Sequence, residues 1–185
     1  PKFPESAGNK PKRYSQPYIE PMPFNLPILL TWLRIVAIPL LIAVYYLPAG
    51  WVTGHERDVA ATTLFIAAAV TDWADGFLAR WLNQTSAFGA FLDPVADKLM
   101  VAAALIVLVQ LGRTDAIVAT IIIGREITIS ALREWMARIG AAKSVAVSML
   151  GKIKTVAQMV AIPMLLYYED FLGIDCRHLG IWLMW

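Results

Sequence analysis

The sequence predicts an all-α integral membrane protein, a bundle of six transmembrane helices. Its 185 residues are 58% hydrophobic and 16% charged, with a mean hydropathy of +0.59, well above that of an average soluble domain. The apolar residues gather into runs that reach or approach the roughly 20 residues needed to cross a bilayer as helix. These runs lie at about 28–47, 58–82, 93–111, 115–139 and 145–168, and the closing GIWLMW reads as the opening of a sixth span, cut short. A third observation bears on function: four aspartates, Asp72, Asp75, Asp93 and Asp97, interrupt two neighbouring runs at helical spacing.

Residues 1–24 are polar and proline-rich and lack the apolar centre of a signal peptide. They are expected to form a juxtamembrane arm, leaving 25–185 as the transmembrane catalytic domain. Span one opens with Asn25 able to cap and Pro27 in the first turn. Thr31 and Arg34 follow within two turns; Arg34 reads either as an anchor snorkelling to the head groups or as a functional charge. Pro48 and Gly50 mark an outer turn that Gly54 and the charged HERD run close, while Tyr45, Tyr46 and Trp51 suit an interfacial aromatic belt.

Span two is Ala-rich at first, which favours close helix packing in lipid, and then carries Asp72 and Asp75 without loss of helical periodicity. The plainest account of that pair is a salt bridge with Arg80 at the water boundary. A short cytoplasmic turn is expected over Asn83–Ser86. In span three, Asp93–Pro94 could be a helix cap with proline in the first turn, which leaves Asp97 unexplained. Gly112 ends that span and Arg113–Asp115 forms a tight outer turn.

Span four carries Arg125, Glu126, Arg133 and Glu134 in an otherwise apolar helix. Arg125 and Glu126 lie too deep to be ordinary solvated charges, and Arg133, eight residues on, falls on roughly the same face as Arg125. After the connector GAAKSVAVS, Lys152 and Lys154 stand at the cytoplasmic start of span five, where they either border a basic pocket or attract anionic lipid. Alternation of the spans leaves only Arg57, Arg113 and Arg177 of the 16 Lys and Arg residues on the outer side. The positive-inside rule therefore turns the N-terminus and the acidic stretch to the cytoplasm. A single cysteine, Cys176, excludes an internal disulfide and a cysteine metal cluster.

Residues four apart on a helix lie about 40° from each other. Asp72, Gly76 and Arg80 therefore form one stripe with Asp75 beside it, and Gly89, Asp93 and Asp97 form a second. Four acids brought together repel unless a cation or several basic partners lie between them. Carboxylate oxygens select hard divalent cations such as Mg²⁺ or Mn²⁺, and two such ions suit in-line displacement at phosphorus. Both histidines, His55 and His178, fall on the outer side, which argues against a zinc site or a histidine-based triad. Arg80 is placed to meet a phosphate oxygen, Gly76 leaves room for a bulky group against the helix, and one Asp must serve as general base. The chemistry so derived is metal-dependent phosphoryl-type transfer at the cytoplasmic face, with lipid.

The full spacing, Asp72-x-x-Asp75-Gly76-x-x-Ala79-Arg80, eight residues, Gly89-x-x-x-Asp93-x-x-x-Asp97, is similar to the signature of the CDP-alcohol phosphotransferase family, without departure. The resemblance implies a six-helix bundle, usually a homodimer, in which Asp72, Asp75, Asp93 and Asp97 bind two metal ions and Asp97 is also the base. It implies that Asp72, Gly76, Arg80 and Ser86 contact the CDP moiety. The runs NLPILLTWLR, REITISALREWMA and GKIKTVAQM most resemble the branch that joins a phosphatidyl group from CDP-diacylglycerol to sn-glycerol 3-phosphate in the bacterial inner membrane. Resemblance and charge together make Arg125, Arg133, Lys152 and Lys154 the candidates for gripping the acceptor phosphate; membrane lipid is an expected partner and nucleic acid is not. The same chemistry with serine, inositol phosphate or phosphatidylglycerol as acceptor is the nearest alternative. A cation transporter is the alternative of another class, although no inverted repeat is visible.

Overall fold

A computed structural model describes residues 26–48, 50–81, 87–139, 149–171 and 173–184. The described chain is helical: α1 Leu26–Tyr46, α2 Gly54–Trp81, α3 Ala87–Gln110, α4 Ala116–Arg138, α5 Met149–Tyr167 and α6 Cys176–Met184. An isolated bridge between Phe171 and Ile174 folds the turn before α6. The expected arm over 1–24, the capping Asn25 and the turn at Asn83–Ser86 lie outside the described residues.

Local chemistry explains the boundaries. Thr53 and Glu56 form a reciprocal cap at the start of α2: Thr53 N donates to Glu56 Oε2 at 2.8 Å and Glu56 N to Thr53 Oγ1 at 3.3 Å. The Thr53 N–H and hydroxyl, both donating to Glu56 Oε2, hold the exposed carboxyl below the usual range. HERD is thus the first turn of α2, not part of the preceding loop as its charge suggested. Gly112, at φ 67°, ends α3 in the left-handed conformation, with Gly112 N bonded to Val109 O and Arg113 N to Leu108 O. Asp115 then caps α4, accepting from Ile117 N at 2.7 Å. Asp175 caps α6 in the same manner through His178 N at 2.9 Å, and that bond holds its exposed carboxyl low. Pro94 lies well inside α3, so Asp93 is a helix-interior residue and the cap reading of Asp93–Pro94 is excluded.

α1 packs on α2 and α3, α2 also on α5, α3 on α4, and α5 on α6. The shared core contains Leu41, Phe65, Leu105, Leu108, Ile162 and Leu165, with Ala61, Ala68, Ala96 and Ala104 letting backbones approach. Gly180 is required where α6 meets α5, since a Cβ there would stand 2.8 Å from Leu165 Cγ. Among the described residues, one helix segment, Leu29–Tyr46, is long and apolar enough to cross a membrane by length and composition, with a hydropathy of 1.9. Charged residues interrupt the other long helices.

A buried polar cluster joins four segments at the end of the bundle that holds the α1 C-terminus. Arg113 places Nη2 2.6 Å from Asp58 Oδ2, both side chains being 12% exposed, and its Nη1 donates to the carbonyl of Leu166 at 2.6 Å. Tyr45 Oη donates to the other Asp58 oxygen at 3.1 Å. Tyr168, a non-glycine residue at φ 61°, carries its ring 4.3 Å below the Arg113 guanidinium, a contact that offsets part of the left-handed strain. Removing one partner of a buried pair leaves an uncompensated charge. Arg113→Met is therefore expected to destabilise the protein by about 3–5 kcal/mol, read as the unfolding midpoint in detergent. Arg177→Met, which loses a cation–π contact to the same ring, should cost under about 1 kcal/mol.

Candidate active site

The opposite end gathers the acidic residues. The inward stripe of α1 runs Thr31, Arg34, Ile38, Leu41, Tyr45, spaced three and four apart, polar at both ends and apolar between. Its first two members meet the two helices that carry the acids. Arg34 Nη1 stands 2.6 Å from Asp72 Oδ1 on α2, with the Arg34 side chain 1% exposed and that of Asp72 43% exposed. Thr31, itself 1% exposed, donates its hydroxyl to Asp93 Oδ1 on α3 at 2.5 Å. Arg34 is therefore a buried charge paired across helices and not a snorkelling anchor, and Asp72 has a partner other than the expected Arg80.

Asp97, one turn beyond Asp93, lines a small cavity with Arg34, Phe65, Met100 and Met159. A second small cavity places Asp97 beside Lys98, Glu126, Thr155 and Gln158. The polar series continues across α4 and α5: Arg125 Nη2 lies 2.6 Å from Glu126 Oε1 and 2.7 Å from Gln158 Oε1. On the far side of that pair an open cleft of about 230 Å³ is lined by Arg125, Lys154, Gln158, Ile122 and, from α6, Leu183 and Met184.

The structure thus brings Asp72, Asp93 and Asp97 to one end of α1–α3, and puts Arg125 and Lys154 on a cleft that shares Gln158 with an Asp97 cavity. Arg133, exposed further along α4, is not among the residues lining that cleft. The side chains of Asp75, Gly76, Arg80, Gly89 and Lys152, and the whole of Ser86, lie outside the described residues. Among the described residues, no three or more His, Cys, Asp or Glu side chains stand together as a metal-holding group. Sequence reasoning did not single out Thr31 or Gln158, nor give Arg34 its partner. The three-and-four spacing on α1 was the available signal for Thr31; for Gln158, a polar residue in an apolar helix, it was the residue type alone.

The sequence profile of the CDP-alcohol phosphatidyltransferase family matches residues 24–185. A CDP-diacylglycerol–glycerol-3-phosphate 3-phosphatidyltransferase of Escherichia coli (strain K12) is 52% identical over 159 residues, which cover 83% of this chain and 85% of that protein. The protein of the same name from Shigella flexneri serotype 5b is 50% identical over the same shares.

The hydrogen bonds of Arg125 carry an expectation independent of those likenesses. Gln158→Met removes one acceptor from a half-buried guanidinium and should lower stability by about 1–2 kcal/mol, measured by thermal unfolding in detergent. Glu134→Ala, which breaks the exposed pair with Arg138 at 2.5 Å, should cost under about 0.5 kcal/mol.

Proposed function

The chain belongs to the CDP-alcohol phosphatidyltransferase family, and on that premise we propose that it transfers a phosphatidyl group from CDP-diacylglycerol to sn-glycerol 3-phosphate, giving phosphatidylglycerophosphate and CMP. The acidic motif carries this reading: Asp72 and Asp93, on two helices, are held by side chains one turn apart on α1, and Asp97 shares a cavity with one of them, Arg34. The identity to relatives named for that reaction favours glycerol 3-phosphate over other acceptors.

In this mechanism Asp97 takes the proton from a free hydroxyl of glycerol 3-phosphate. The oxygen attacks the phosphorus that bears the diacylglycerol, the bond from that phosphorus to the CMP oxygen breaks, and CMP leaves. Burial beside Arg34 and Met100 keeps bulk water from competing with the acceptor. Asp72, Gly76, Arg80 and Ser86 orient the CDP portion. Arg125 and Lys154 hold the acceptor phosphate, with Arg133 and Lys152 as further members of the basic set. The donor atoms on α2 and α3 fit a hard divalent cation, being carboxylate oxygens, while His55 and His178 pair with Glu169 and Asp175 at the far end. Bound by Asp72, Asp75, Asp93 and Asp97, Mg²⁺ or Mn²⁺, two ions on this reading, supplies charge neutralisation on the donor's pyrophosphate.

The reading includes a multi-pass bundle in the bacterial inner membrane with this site facing the cytoplasm. In its support, α1–α5 are 19 to 28 residues long, against about 20 for a crossing. Large apolar side chains such as Leu33, Ile106, Ile117 and Ile121 cover the outer surface, as lipid requires and water does not. The charge asymmetry points the same way. A homodimer within the bilayer completes the proposal.

CMP release by the detergent-purified protein, from CDP-diacylglycerol with Mg²⁺, tests the reaction. Release is expected with glycerol 3-phosphate and not with serine, inositol 1-phosphate or phosphatidylglycerol; release with one of these alone would move the protein to another branch. Asp97→Asn should leave CDP-diacylglycerol binding intact while lowering kcat by about 10²-fold or more. A smaller loss would show that another group takes the proton.

A further inference from the structure

Thr31 and Arg34, one turn apart on α1, reach the two helices that bear the acidic residues. Thr31 binds Asp93 Oδ1 at 2.5 Å and Arg34 binds Asp72 Oδ1 at 2.6 Å, both from side chains that are almost fully buried. A guanidinium out of water is costly without a compensating charge, and Asp72 supplies it. Asp72 also belongs to the carboxylates proposed above to hold a divalent cation. A cation on Asp72 and the Arg34 guanidinium would be two positive charges on one carboxylate, the guanidinium out of water and the carboxylate 43% exposed, so that a cation can reach Asp72 from the open side while Arg34 holds it from the buried side.

We propose that Arg34 is an internal counter-charge that competes with the divalent cation for Asp72 and so sets the metal affinity of the site, while Thr31 holds Asp93 in place on the facing helix. This rests on the metal reading of the acidic residues. Arg34 is a positioning residue and takes no part in bond making. Its coupling to the cation is reciprocal: whatever Arg34 takes from cation affinity, the cation takes from the Arg34–Asp72 pair. Without Arg34, Asp97, which lines the same small cavity, would also lose a neighbouring positive charge. The site tolerates its carboxylates before the cation arrives, and cation entry then loosens α1 from α2 at this point.

The test is Mn²⁺ titration of the purified protein by calorimetry, with thermal unfolding followed with and without Mn²⁺. Arg34→Gln is expected to bind Mn²⁺ about tenfold more tightly than wild type. Its unfolding temperature should fall most without Mn²⁺ and recover more on adding it. Arg34→Lys, which keeps the charge but not the planar fork, should fall between the two, and it carries the comparison if the Gln variant does not fold. Affinity equal to or weaker than wild type in these variants, or an equal loss of unfolding temperature with and without Mn²⁺, would overturn the proposal and leave the metal reading standing. If wild type and Asp72→Asn give the same unsaturable Mn²⁺ signal, the metal reading fails and this proposal with it.

Discussion

The guanidinium of Arg34 constrains how the first three helices meet. It is removed from water at the polar end of an otherwise apolar stripe, and such a charge must find an opposite one or the bundle does not close. Asp72 lies near the C-terminal end of α2, so the pair sets how far α2 descends beside α1. Thr31, one turn earlier, sets α3 in the same way through Asp93. Small residues at Ala68 and Ala96 allow the approach. Two halves of a motif separated by a chain reversal are thereby brought to one level, and the site is a consequence of that closure.

The same device operates at the other end with the polarity of the parts changed. There Arg113 leaves the α3–α4 turn to join Asp58, two carbonyls at the end of α5 and the face of Tyr168. The bundle is apolar through its middle and pinned by a buried arginine at each end. α4 is held less: it packs mainly on α3, its second half exposes Ile127, Leu132 and Trp135, and an open cleft separates it from α5 and α6. One side of the site is thus closely packed and the other is open, which on the proposed reading suits carboxylates that need fixed geometry and an acceptor that must enter.

The helices were legible because five runs of apolar residues admit few other structures, and the acidic stripes because i, i+4 spacing survives in them. The start of α2 was misread because a charged run resembles a loop; the Thr53–Glu56 cap inside it is a helix signal of the same composition. Pro94 suggested a helix start at Asp93, yet α3 begins at Ala87 and accommodates the proline within it. Pair identities were not legible. Asp72 has Arg80 eight residues away on its own helix and Arg34 38 residues away on another, and only packing decides between them. Arg125 and Arg133 lie about 80° apart around a helix, enough for one to be half-buried and the other exposed.

Charge balance at the site end gives the cation a physical reason. Among the described side chains, Asp72, Asp93, Asp97 and Glu126 face Arg34, Lys98, Arg125 and Lys154, an even match. Arg34 is committed to Asp72, and Arg125 is shared by Glu126 and Gln158. An even match suits a protein that must fold before any substrate arrives. It also means that the positive charge in place does little more than balance the carboxylates already there. A pyrophosphate donor and a phosphorylated acceptor together bring several further negative charges to the same few ångströms, and their mutual repulsion opposes the approach that transfer requires. On the proposed reading the protein meets that demand with hard cations admitted alongside the donor, held by carboxylates that its own arginine keeps folded and apart.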